Sequence, residues 1–394
     1  MRLPLNVFLL TGCLALNQTA LSLNMTVAAL AGTLLAGSDA YLATLPLAFT
    51  FLALMASSAP VSLMMGRFGR KRCFAAGSLV GCAGGLVMAY AMIEGSLWLF
   101  AAGQALFGYA TATANYYRFA AAESVPDALR SRAISTALTG GVVAAILGPF
   151  LGVQGSDFFV YSFAGSYLVM AALSLAILPL VSIIPLPAPV PVERKARGGG
   201  RPLGEIARQP VFLVAVVGAM VGYGAMNLIM VSTPTAMVGC GFVMGDAMVV
   251  IQWHVLGMYL PSFFTGHLIR RYGAPAIMAV GAALIVACAA INLTGVAFAH
   301  FLSSLVLLGL GWNFLYIGGS TLVTEAYRPE ERARTLGLNE LLVTGTTAMT
   351  ALSSGALFAT LGWNAVNLAV LPALLIVLAA LLWFRTRQRP LALS

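Results

Sequence analysis

Gly66-Arg67-Phe68-Gly69 and Arg270-Arg271-Tyr272-Gly273 stand 204 residues apart, and each separates two long apolar runs. The repetition extends outward. Gly108-Tyr109 and Gly311-Trp312 each sit in an apolar run that leads into a Pro-acidic-Arg loop, ESVPDALRSRA over 123–133 and EAYRPEERART over 325–335. A chain that writes one plan twice is read as two copies of one supersecondary unit, here built from apolar runs of about 20 residues that can each cross a hydrocarbon core of about 30 Å. The fold class that follows is an all-α membrane protein with twelve transmembrane helices in two pseudo-symmetric six-helix halves. In such repeats the cargo binds near the midplane, between the halves.

The spans read as 5–31, 40–65, 73–93, 97–121, 134–153, 159–183, 210–233, 246–269, 274–296, 299–322, 335–358 and 364–384. Residues 1–183 form the first half and 210–394 the second. Between them, 184–209 (with PLPAPVPVERKARGGGRPLG) has no apolar period and reads as a flexible or surface-lying cytoplasmic linker. Every second loop, from Arg2 and Arg67 through Arg194, Lys195 and Arg197 to Arg385 and Arg389, carries Lys or Arg. The alternate loops carry only acids such as Asp39, Glu94, Asp157 and Asp246. Basic residues are retained on the cytoplasmic side, so both termini are expected there, in a multi-pass membrane protein.

Composition fits this and excludes other classes. The 394 residues are 60% hydrophobic and only 8% charged, with mean hydropathy +0.94, against about 25% charged in a soluble domain. The net charge of +9 is a topology signal rather than a nucleic-acid footprint, and the lipid bilayer is the expected partner. Five cysteines without a CxxC suggest neither a disulfide framework nor a zinc site. The first apolar run is too long for a cleaved signal peptide. No GxxxxGK[ST] phosphate loop is present, so the chain reads as a gradient-driven carrier and not an enzyme; a monomer without a resident cofactor is expected.

The stretch Met220–Met258, MVGYGAMNLIMVSTPTAMVGCGFVMGDAMVVIQWHVLGM, carries the chemistry. Met226 and Met230 lie four apart on one span, and His254 and Met258 four apart on the next, so each pair shares a helix face. Thioethers and imidazole form a soft, nearly neutral donor set that selects Cu(I). Met pairs also fill gaps in helix packing, and a lone intramembrane His also serves as a proton relay or an interhelical hydrogen bond. Met237, Cys240 and Met244 in the intervening turn are candidates to collect copper, and Cys13 is a candidate to pass it on. Asn17, Gln18, Asn115, Asn313 and Tyr316, with Asn24 and Gln104, are polar groups expected either in a central cavity or in interhelical hydrogen bonds. Glu340 is the one carboxylate inside a span, a candidate for a coupling proton or for pairing with Arg334 or Arg118.

On these residues the whole chain resembles the major facilitator superfamily. SLMMGRFGRKR matches that family's basic loop signature at Arg67, Gly69, Arg70 and Lys71, the cytoplasmic gate motif. Ser62 replaces the leading Gly, and Gly66 stands where the family has Asp. MxxxM followed by HxxxM resembles the CcoA-type copper importers of the same superfamily. This resemblance implies copper as transported substrate at Met226, Met230, His254 and Met258. It also implies a role in cbb-type cytochrome oxidase assembly, and a cytoplasmic copper chaperone or exporter downstream. Relatives of that branch without these motifs carry riboflavin, so a flavin importer is the alternative, with a proton-coupled drug efflux carrier behind it.

Overall fold

The computed structural model describes residues 3–37, 42, 45–156, 158–186 and 200–388. Arg2, Asp39, Asp157, Arg194, Lys195, Arg197, Arg389 and most of the linker lie outside the described residues, as does the side chain of Met244.

Among the described residues the regular structure is helical. It comprises α1 (Leu5–Ala36), α2 (Leu45–Phe68), α3 (Arg70–Glu94), α4 (Leu97–Ala114), α5 (Tyr117–Glu123), α6 (Arg130–Leu138), α7 (Gly140–Ser156), α8 (Ala164–Leu175) and α9 (Ile177–Ile183). After the linker come α10 (Leu203–Ala207), α11 (Pro210–Gly239), α12 (Met244–Tyr259), α13 (Ser262–Tyr272), α14 (Ala274–Thr294), α15 (Phe298–Val323) and α16 (Arg332–Gln388). Among the described residues, nine stretches are long and apolar enough to cross a membrane, and α12 with α13, bent by 41°, makes a tenth. The remaining two of the twelve expected spans are α4 and the first part of α16, which breaks at Gly362 where φ is 78°. Side chains such as Leu30, Leu79, Ile146, Phe150, Leu375 and Leu382 are exposed. Water would penalise that surface at about 25 cal/mol per Å², whereas hydrocarbon would not.

Three spans depart from the runs read in the sequence. The fourth breaks at Asn115–Tyr116 between α4 and α5, and the eighth bends at Leu260–Pro261. The sixth becomes helical only at Ala164, because Phe163 takes a left-handed conformation (φ 65°). In the linker, 203–207 is a helical turn rather than open coil.

The internal repeat is visible in backbone angles. Gly69 (φ 86°, ψ 154°) caps α3, and Gly273 (φ 84°, ψ 150°) caps α14 in the same conformation. The preceding residues match too, with Arg67 over the Phe68 ring at 5.2 Å and Arg271 over the Tyr272 ring at 5.1 Å. A side chain at such positive φ is strained by about 1–3 kcal/mol. Gly69→Ala and Gly273→Ala should therefore each lower thermal stability in detergent by a similar step, whereas alanine at Gly204, which has open space around it, should not.

The chain clusters into two compact units, one of residues 1–127, 136–195 and 336–344, the other of 128–135, 196–335 and 345–394. In the first, α1 packs on α7, and α3 on α4 and α8; in the second, α15 packs against α11, α12 and α14. Small residues permit these approaches: a Cβ on Gly84 would meet the Gly103 carbonyl oxygen at 3.0 Å, and one on Gly281 the Gly311 carbonyl oxygen at 2.8 Å.

Candidate functional site

The densest chemistry of the second unit gathers where α11 and α12 reach α15. Trp312 and Tyr316, one turn apart on α15, stack at 4.9 Å with their planes 24° apart. Tyr223 of α11 meets both edge-on, at 5.2 Å and 4.9 Å, and Tyr259 of α12 meets Trp312 at 5.6 Å. Such tilted and stacked pairs each contribute about 0.5–1.5 kcal/mol beyond burial. Trp312 is fully buried, and its Nε1–H has no hydrogen-bond partner among the described residues. Tyr223 is half-buried.

The expected ligand residues border this cluster. Met226 is buried one turn beyond Tyr223, and Met230 is half-buried a turn further on. On α12, His254 is fully buried and Met258 nearly so, next to Tyr259. His254 Nδ1 lies 2.8 Å from the Leu305 carbonyl oxygen of α15. A carbonyl can only accept, so Nδ1 carries a proton, and in the neutral tautomer that leaves the lone pair at Nε2. That atom is buried without a partner among the described residues. The structure thus turns His254 onto α15 rather than toward lipid, and α11 touches α12 only lightly. No group of three or more His, Cys, Asp or Glu with metal-site spacing occurs among the described residues.

Other residues singled out in the sequence are largely committed to packing. Asn313 donates to the Met258 carbonyl and to Ser262 Oγ, both at 2.7 Å, and accepts from Thr265 at 2.6 Å, which pins the α12–α13 bend to α15. Asn24 and Gln104 exchange two hydrogen bonds at 2.8 and 3.0 Å, joined by Thr50 at 2.6 Å, so these are interhelical ties. Asn17 is buried, while Gln18 and Asn115 are half-buried. Cys13 is fully buried, and Met237 is buried inside the last turn of α11 rather than in the turn beyond it. Cys240 is exposed at the α11 C-terminus.

In the basic motif, Arg70 is buried, donating to the Tyr116 carbonyl and pairing with Glu123 at 2.6 Å. Lys71 donates to the Ser182 carbonyl, and Arg67 stays exposed. Glu340 on α16 pairs with Arg118 of α5 at 2.5 Å, each only 1% exposed. Of the two arginines weighed for it, the one buried on α5 is its partner.

Beside the linker, Glu331 accepts from the Arg201 backbone N–H, Nε and Nη2, and from the Arg328 N–H. The Arg201 guanidinium, opposed by burial and helped by the two backbone donors, holds the Glu331 carboxyl down at about 2 from its ordinary 4.5. A depressed carboxylate stabilises the fold above its unfolded pKa and loses that contribution as pH falls toward the folded one. Protection from hydrogen exchange over 326–335, corrected for intrinsic rates, should therefore hold down to about pH 4.5 and fall toward pH 2, and Arg201→Ala should shift that fall to higher pH.

Comparison with known proteins places this geometry in context. The family profile described as Major Facilitator Superfamily matches residues 7–312 and 242–393. Among curated relatives, the riboflavin transporter RfnT of Brucella anthropi is 37% identical over 378 residues, covering 96% of this chain and 95% of that protein. The uncharacterized MFS-type transporter YdeG of Bacillus subtilis is 28% identical over 382 residues, covering 93% and 89%. Among solved structures, the transporter FucP in its outward conformation superposes with a TM-score of 0.76 at 15% identity, covering 96% and 98%. A bacterial homologue of the iron transporter ferroportin, in its outward-facing state, gives 0.75 at 13%, covering 98% and 100%. At those identities the structural likeness concerns the fold alone.

Proposed function

Because the chain belongs to the major facilitator superfamily, a family of transporters and not enzymes, we propose that it imports riboflavin or a closely similar flavin. The observation that carries this is the 37% identity to a riboflavin transporter across 96% of the chain. The aromatic cluster supports it chemically. A flavin is a planar three-ring heterocycle of the kind aromatic rings hold by stacking, and in this cluster Tyr259, Trp312 and Tyr316 are buried while Tyr223 is half-buried. The half-buried Tyr223 is the member placed to meet the cargo first. In the proposal the protein sits in a bacterial inner membrane as a monomer with both termini cytoplasmic, taking flavin inward.

Copper, expected first from the sequence, becomes the second reading. Its support is the buried Nε2 of His254, without a partner among the described residues, on the same helix as Met258, with Met226 and Met230 on the neighbouring span. The role in cytochrome oxidase assembly and the downstream copper partners stand or fall with it.

Rescue of a riboflavin auxotroph separates the two. Expression of this chain should restore growth at limiting riboflavin, and Tyr223→Ala should raise the riboflavin concentration needed by about tenfold, the loss of one strong aromatic contact, while Tyr223→Phe should not. Copper-64 accumulation with unchanged riboflavin dependence, abolished by His254→Ala, would favour copper instead.

A further inference from the structure

The exposed face of α13 changes character along its length. Ser262, Thr265, Gly266 and Ile269 are buried, whereas Phe263, Phe264, His267, Arg270 and Arg271 are exposed. Their helical spacing puts two apolar rings, an imidazole and two guanidiniums on one side of the helix, in that order. From Phe263 to Arg270 the axis advances about 10 Å, at ~1.5 Å per residue. One headgroup layer is roughly 5–8 Å thick, so with the Phe263 and Phe264 rings in hydrocarbon, His267 and Arg270 stand at headgroup depth.

A second helix brings another cation to this end. α6 lies so close to α13 that a Cβ on Gly266 would meet the Ser131 carbonyl oxygen at 2.7 Å and Arg132 Cα at 2.8 Å. Ser131 donates to the Gly266 carbonyl at 3.1 Å, while Ser135 donates to the Ser262 carbonyl and accepts the Gly266 N–H at 3.0 Å. These bonds hold the half-buried Arg132 next to His267. The charges that act on the His267 ring are Arg132 and Arg270, both cations, and the ring bonds to the Phe263 carbonyl. Neighbouring cations are engaged elsewhere: Arg130 acts on Glu325, and Arg271 lies over the Tyr272 ring at 5.1 Å. Two cations gathered on one imidazole repel each other, and an anion seated among them relieves that repulsion.

We propose that α6 and α13 together hold the headgroup of an anionic phospholipid, with Arg132 and Arg270 on its phosphate and Phe263 and Phe264 against its acyl chains. A lipid is the occupant because the face that carries the cations continues into exposed aromatic rings, which a free anion would leave uncovered. The bound lipid bridges two helices, whatever the cargo.

The test is native mass spectrometry of the purified full chain in detergent, titrated with phosphatidylglycerol or phosphatidylcholine. Two basic residues at the membrane surface should favour the first phosphatidylglycerol over phosphatidylcholine by about 25-fold. Arg132→Gln and Arg270→Gln should each weaken that binding about fivefold and leave phosphatidylcholine unaffected. Arg208→Gln, which removes the same charge at an exposed position after α10, should change neither. In nanodiscs, phosphatidylglycerol should slow hydrogen exchange over 130–135 and 262–272 relative to phosphatidylcholine. Millimolar inorganic phosphate should not displace the lipid. Equal binding of the two lipids, equal weakening by Arg208→Gln, or displacement by phosphate, the mark of a site for free anions, would overturn the proposal. Should Arg132→Gln not fold, the exposed Arg270→Gln decides it, and unchanged phosphatidylglycerol binding there ends it.

Discussion

Replacing Arg118 with alanine is expected to remove most of the folded protein from the membrane. Both members of the Arg118–Glu340 pair are only 1% exposed, so the change strands a carboxylate where no water reaches it. Removing one partner of a buried pair typically costs about 3–5 kcal/mol, comparable to the net stability of many domains. The cost belongs to the orphaned charge rather than to the attraction itself. Arg118→Met combined with Glu340→Leu should therefore recover much of the folded yield, because apolar residues of similar volume replace a buried pair at little cost. The check is monodisperse yield after detergent extraction for the parent, the single variant and the double variant. Equal loss in single and double variants would mean that shape, not charge, governs this position.

The second large effect is expected at Gly309. A Cβ there would lie 2.4 Å from the His254 carbonyl oxygen and 2.8 Å from the Met258 nitrogen, so the obstruction is helix backbone that no rotamer change relieves. Gly309→Ala should cost about 1–3 kcal/mol by overpacking, and Gly309→Leu more. Forcing α12 from α15 also stretches the bonds from Asn313 to the Met258 carbonyl and from His254 to the Leu305 carbonyl. Transport should therefore fall further than the lost stability alone accounts for. Gly245→Leu, at a position with open space, serves as the control. Uptake per folded molecule, measured beside the melting temperature, separates the two contributions.

The fold was legible in the sequence because its two strongest signals are physical necessities. Apolar length sets the spans, and glycines 204 residues apart that adopt φ of 86° and 84° mark the same turn in each half. The departures came from local backbone choices that apolar length does not encode, such as the break at Asn115–Tyr116 and the bend before Ser262. The site was legible in part. His254 stood out as an ionisable residue inside a span, yet its turn toward Leu305 depends on helix rotation, which sequence spacing leaves open. The aromatic cluster was missed as a unit because Tyr223, Tyr259 and Trp312 lie on three helices. The spacing of Trp312 and Tyr316 on one face of α15 was the local hint. Likewise, Asn313 reads as a cavity residue until its three partners are seen.

The central claim is that the cargo is a flavin. Its most direct test is accumulation of tritiated riboflavin by proteoliposomes containing only the purified chain, with copper-64 measured in parallel. The account predicts saturable riboflavin uptake that unlabelled flavin competes away and that Tyr223→Ala weakens. Copper accumulation without riboflavin uptake, by protein shown to be folded, would contradict it.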